Sequence, residues 1–189
     1  MLKQQRTTAY RQGLIVLLSL LGMMPIAQAS MLERCAAPES NYPAYIHSML
    51  SRIGHHPQDS NTASIAFIMA AAITARYNIP VDAEKISSLL NHETLGIRPI
   101  SMLDIKRVFT LLGLQVDARK TEQPEEVLTL SSQILITQDQ QKNFMALITT
   151  SNSYAYLIYG VVNQEALICP VHKSVFMKSY TTEKFLILN

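Results

Sequence analysis

The sequence predicts an α+β domain in which helices come first, antiparallel strands follow, and one buried helix lies between them. Three observations carry this. A nearly unbroken apolar run, Ala63 to Ala75, is interrupted only by Ser64 and Thr74. Helix start and stop signals dominate the stretch before residue 130. From Gln133 onward the chain is a series of short β-type runs separated by polar turns.

The apolar run defines the central helix. Asp59, Ser60, Asn61 and Thr62 precede it, and each has a short polar side chain able to accept from first-turn N–H groups that lack an intrahelical partner. A helix apolar on every side is a buried one. At about 15 residues it is too short to span a bilayer, which takes roughly 20. Asn78 and Pro80 end it, since proline cannot continue the ladder and restricts the residue before it. Its N-terminus carries partial positive charge, the setting that stabilises a thiolate or an oxyanion.

Residues 1–29 have the layout of a secretory signal peptide. Lys3, Arg6 and Arg11 form a basic region, Leu14 to Leu21 an apolar one, and Ala27-Gln28-Ala29 a small-x-small cleavage site. The expected destination is the periplasm or the exterior, with no membrane span after cleavage. The leader holds three of the 16 Lys and Arg residues, leaving 13 against 14 Asp and Glu. The chain's net charge of +2 therefore belongs to the leader. No basic patch interleaved with aromatics is present, so nucleic acid is not an expected partner. Roughly 160 mature residues suffice for one well-cored domain, divided into an N-terminal arm with a short helix (30–56) and the main domain (57–189).

Two cysteines, Cys35 and Cys169, predict one disulfide in an oxidising compartment, tying the arm to the body. Such a long loop contributes on the order of 4 kcal/mol in the chain-entropy model. His55 and His56 adjoin on one short loop without a cluster of further ligands, so a solvated turn is expected and no metal or cofactor.

In chain order, Pro43 suits the first turn of a helix with Tyr45, Ile46, Met49, Leu50 and Ile53 on its apolar stripe, ending at Gly54. Asp82 caps a second helix reaching about Leu90, and Asn91 to Ile100 reads as a loop. Ser101 with Asp104 forms a capping box. The helix it opens turns Leu103, Val108, Leu111 and Leu112 inward and stops at Gly113. Leu114, Val116 and Ala118 alternate as a strand, and Pro124 opens a short helix with Glu125 and Glu126 in its first turn. The later strands fall near 134–137, 144–149, 154–161, 166–169, 173–179 and 185–188.

This order resembles the papain-like double-glycine leader peptidases, the proteolytic domains attached to bacteriocin exporters. Three stretches carry the likeness. Asp59 to Ala66 is similar to the family's Asp-Cys-Gly opening of the central helix. Arg76 to Val81, RYNIPV, is similar to its aromatic-Gly-Ile-Pro-Val exit. Gly96 to Leu114 is similar to the helix that closes on Leu-Gly-Leu. The resemblance implies a papain-like fold, with a helical lobe packed on an antiparallel sheet around the buried helix.

It also implies a cysteine nucleophile at the helix N-terminus, a histidine base on a facing strand, and an aspartate orienting it. This chain departs from all three. The cysteine position is Ser60 if Asp59 is matched, or Ser64 counting back from Asn78. The histidine position is near Asn143 counted from Leu114, or Ser153 or Tyr154 counted back from Gly160. The aspartate position becomes Tyr159 in the first register and Cys169 in the second. No register gives Cys, His and Asp together.

The expectation is therefore a pseudoenzyme that binds a peptide segment, or an exported or adhesin protein, without cutting it. By analogy it would assist secretion or the assembly of a surface fibre. Ser60, Asn61, Tyr154 and Tyr156, with Tyr159, are the expected contact residues, since tyrosine rings bury large area at low entropic cost. The same tyrosine alternation is equally what one buried sheet face requires. Two alternatives stand beside it. One is a hydrolase with Ser60 as rebuilt nucleophile and His172, His55 or His56 as base. The other is a structural subunit of an envelope complex.

Overall fold

The computed structural model describes residues 43–54, 60–130, 134–139, 142–162, 165–179 and 184–189, all within the unit Ala37–Asn189. The leader, Cys35, His55, His56 and Asp59 lie outside the described residues.

Helix α1 (Ala44–Leu50) starts after Pro43 and buries Ile46 and Met49. It ends before the expected stop, and Ile53–Gly54 forms a two-residue strand, β1. β1 pairs in parallel with β2 (Val81–Asp82). Tyr45, expected on the buried stripe, is half exposed.

The central helix is α2 (Asn61–Tyr77). Ser60 caps it, its Oγ accepting from the Ala63 N–H at 3.1 Å. Asn78, in the left-handed region at φ 56°, ends it. Every residue from Ala63 to Thr74 except Ser64 is buried, as an all-round apolar helix requires.

Asp82 caps α3 (Ala83–Thr94), accepting from the Glu84 N–H. This helix runs four residues past the expected end at Leu90, because Leu90 and Thr94 both fall on its buried face. The expected capping box opens α4 (Met102–Leu111). Its buried face is Asp104, Ile105, Val108 and Phe109, while Leu103 and Leu111 are exposed, against expectation. Gly113, at φ 77°, turns the chain out of the helix.

Strands β3 (Val116–Lys120), β4 (Leu135–Gln138), β5 (Phe144–Thr150), β6 (Tyr154–Val162), β7 (Glu165–His172) and β8 (Lys184–Leu188) form one sheet. Their order is β3-β8-β4-β5-β6-β7, and every pairing is antiparallel. Pro124 opens α5 (Pro124–Thr129) as expected. The run 173–179, expected as a strand, is instead helix α6 (Lys173–Ser179). Periodicity cannot separate the two in so short an apolar run. The helix lets Phe176 be fully buried while Val175 stays exposed.

One sheet face, with Ile136, Ala146, Ile148, Tyr156, Ile158 and Leu186, joins the core cluster around α2. The alternate residues Leu135, Met145, Leu147, Leu157, Phe185 and Ile187 are buried outside that cluster. Burial on both faces explains why these strands read as continuous apolar runs. α2 lies against β5 and β6 on one side and α3 on another, with α1 also in contact. Among the described residues, no helix is long and apolar enough to cross a membrane.

Candidate functional site

The first turn of α2 is the place where an attacking group would gain from the helix field. Ser60 is occupied there as the cap, with Asn61 exposed beside it. Ser64 is partly buried one turn on, and its N–H makes the helix's first backbone bond, to the Ser60 carbonyl at 2.9 Å.

Ser64 packs on β6 at Gly160. A Cβ placed on Gly160 would lie 2.8 Å from the Ser64 Cβ and 3.2 Å from its Oγ. Gly160 adopts φ 110°, and the β6–β7 register shifts between Ile158 and Val161. A lone glycine inside a strand often marks such a bulge and close approach, a signal legible in the sequence.

The sheet pairing decides what shares this end of the molecule. Ala146 lies opposite Ile158, so the start of β5 and Asn143 just before it lie toward the end of β6 that holds Gly160. Asn143 is held by Asp139. Its backbone N–H donates to Asp139 Oδ1 at 2.8 Å and its Nδ2 donates to Oδ2 at 3.0 Å. Asp139 escaped the sequence reading. Tyr159, the matching aspartate position, is buried and lies outside the cluster around α2.

The second register falls elsewhere. Tyr154 pairs with His172 across β6 and β7, the rings edge-on at a centroid distance of 5.6 Å. His172 Nδ1 is 2.8 Å from Ser174 Oγ. Tyr154 is six residues from Gly160 along β6, about 20 Å at the usual rise per residue. His172 therefore sits at the far end of the strand from Ser64. Cys169, opposite Leu157 in mid-strand, is fully buried.

Ser64 and the Asn143 position are thus brought to one end of the fold. The expected contact set is split, with Ser60 and Asn61 at the start of α2 and Tyr154 at the other end of β6. Tyr156 is buried in the core cluster and Tyr154 is half exposed. His47 and His92 are exposed on α1 and α3. Among the described residues no group of three metal-ligating side chains occurs.

A second feature lies toward the C-terminal end of α2. A cavity of about 340 Å³ is lined by Tyr45, Ser48 and Met49 of α1, Thr74 and Ala75 of α2, Asn78, Ile134, and Ile148 and Thr149 of β5. The Tyr45 hydroxyl is hydrogen-bonded to Thr149, and burial raises its pKa above the ordinary tyrosine value.

A buried helix flanked by a helical lobe and packed on an antiparallel sheet is the architecture of papain-like peptidase domains, and the chain has that fold. It is similar to a double glycine motif protease from an AMS/PCAT transporter, solved with the leader peptide. The TM-score is 0.51 at 17% identity, over 69% of this chain and 86% of that one. It is likewise similar to the peptidase domain of Streptococcus ComA, a bi-functional ABC transporter involved in quorum sensing. There the TM-score is 0.50 at 12% identity, over 71% of this chain and 98% of that one. No protein-family model matches the sequence, and no curated protein matches it.

Proposed function

We propose that this chain is an exported peptidase-like domain that binds a peptide segment of a partner protein without hydrolysing it. The fold of domains that act on leader peptides supports the binding half, and one such neighbour was solved with its peptide. The single observation carrying the other half is the pair Ser64 and Asn143. By the resemblance, these are positions that would carry the thiolate and the imidazole, and here they are a serine and an asparagine. A serine there needs a general base within about 3 Å; of the candidate bases, His172 lies at the far end of β6, and His55 and His56 lie outside the described residues. Ser60, the other nucleophile candidate, already serves α2 as its cap acceptor.

The partner we favour is an exported or adhesin protein met in the periplasm or at the cell surface, with the domain assisting its secretion or assembly. Two sequence expectations travel with this reading: cleavage after Ala29 and a Cys35–Cys169 disulfide. Intact-mass measurement of the exported protein, before and after reduction, reads both.

The test is incubation of the mature protein with a fluorescent Gly-Gly leader peptide. Saturable anisotropy with no cleaved product is expected. Product formation that Ser60→Ala or Ser64→Ala abolishes overturns the reading in favour of a working hydrolase.

A further inference from the structure

We infer that the outer ridge of α4 is the surface on which two copies of this chain pair, with their α4 helices antiparallel. The inference goes beyond the peptide-binding reading and stands whether or not that reading holds.

Among the described residues, half of the exposed large hydrophobic side chains fall on α4 and the loop leading into it: Leu95, Ile97, Leu103 and Leu111. A lone exposed leucine needs no explanation, but a concentration of them marks an interaction surface. The stretch is held together as one piece. Arg98 of the loop bonds Asp104 of α4 and reaches the Glu93 carbonyl of α3 at 3.5 Å. Arg107 of α4 lies 3.9 Å from the Glu93 carboxylate.

Leu95 adds an independent observation. It follows α3 at φ 55°, a left-handed position that favours glycine or asparagine and disfavours a side chain with a Cβ. The leucine is 74% exposed, so packing against its own chain does little to offset that strain. An apolar residue held in a disfavoured conformation and left facing water is suited to contact with another molecule.

The residues of the ridge say which molecule. Leu103, Arg107 and Leu111 are four apart, the spacing of one ridge along which helices pack. The ridge reads leucine, arginine, leucine from either end. A two-fold interface uses one patch twice, so the patch must complement itself. Antiparallel pairing centred on Arg107 sets Leu103 of each copy against Leu111 of the other. The charges match as well. Two guanidiniums meeting near the axis would repel, but each brings Glu93 beside it, so the paired patches carry one acid for every such base. A seam of one helix alone falls short of the roughly 1,200 Å² that a stable interface buries in total, and Leu95 and Ile97 widen it.

Sedimentation velocity of the mature protein at rising concentration should show a monomer–dimer equilibrium. Leu103→Lys and Leu111→Lys, both at exposed positions, should each raise the dimer midpoint about tenfold or more and leave the monomer's thermal midpoint unchanged. Leu95→Asn suits the left-handed backbone better. It should weaken the dimer while raising the monomer's thermal midpoint, opposite signs that a residue serving only its own fold would not give. Cysteine pairs read the orientation. Leu103→Cys mixed with Leu111→Cys should give a linked heterodimer on oxidation, and Arg107→Cys should link to itself. Leu103→Cys alone should not, since its two copies would lie about 12 Å apart along the helix axis.

A monomer at every concentration, a dimer unmoved by the lysine variants, or Leu103→Cys linking to itself would overturn the pairing. A monomer that captures a different exported protein through the same leucines would overturn it too, and would assign the ridge to that protein.

Discussion

Gly160 of β6 and Ser64 of α2 meet so closely that even a methyl group between them would fall 2.8 Å from the Ser64 Cβ. The contact places strand backbone against the first turn of the buried helix. It also fixes which end of the sheet faces the helix N-terminus, and so which residues can be neighbours of Ser64.

Gly160→Ala should be destabilising for two separate reasons. The φ of 110° is one that a side chain rarely adopts, and the added Cβ would press on Ser64. Strain at such a position costs about 1–3 kcal/mol and overpacking adds a similar amount. We expect a loss of about 2–4 kcal/mol in urea unfolding. Ala at Gly96, also at positive φ but with nothing within 4 Å, should cost only the backbone part.

Asp104 makes a pH-dependent contribution. It is 1% exposed and paired with Arg98 at 2.7 Å, both terminal guanidinium nitrogens donating to the carboxylate. Its Oδ2 also accepts from the backbone N–H and hydroxyl of Ser101. The Arg98 bonds first, then those from Ser101, hold its carboxyl well below the usual carboxylate range. A depressed folded-state value means the stabilisation is full above the ordinary pKa of about 4. It is lost as pH falls toward the folded value. Asp104→Asn should cost about 2 kcal/mol at neutral pH. The variant should also show a shallower loss of stability than the parent between about pH 5 and 2 in acid-unfolding curves.

Ser60→Ala tests cap against nucleophile. Removing an N-cap acceptor costs about 1 kcal/mol, and the Ala63 N–H is the group left unpaired. The expected result is that loss in chemical denaturation, with no hydrolysis in either protein.

The local signals were legible. Ser60, Asp82 and Ser101 each cap the helix that the sequence placed after them, because capping is decided within three residues. The all-apolar run of α2 needed no tertiary knowledge either. What failed depended on partners distant in sequence. Residues 173–179 became a helix because Phe176 had a site to fill, and Leu103 and Leu111 proved exposed because Phe109 and Ile105 took the buried face. The site register was likewise undecidable from spacing, since the bulge at Gly160 shifts the pairing.

The register itself can be tested by chemistry. If Ser64 and Asn143 are neighbours, a cysteine at 64 and a histidine at 143 should sense each other. A nearby imidazolium and the helix N-terminus both favour thiolate over thiol. Ser64→Cys is therefore compared with Ser64→Cys/Asn143→His by alkylation rate against pH, read on the peptide carrying residue 64. Adding the histidine should lower the thiol pKa by about one unit or more. Tyr154→His on the Ser64→Cys background should leave it unchanged, because position 154 lies about 20 Å away along β6. A shift produced by Tyr154→His and not by Asn143→His would reverse the assignment and move the degenerate site to the other end of the strand.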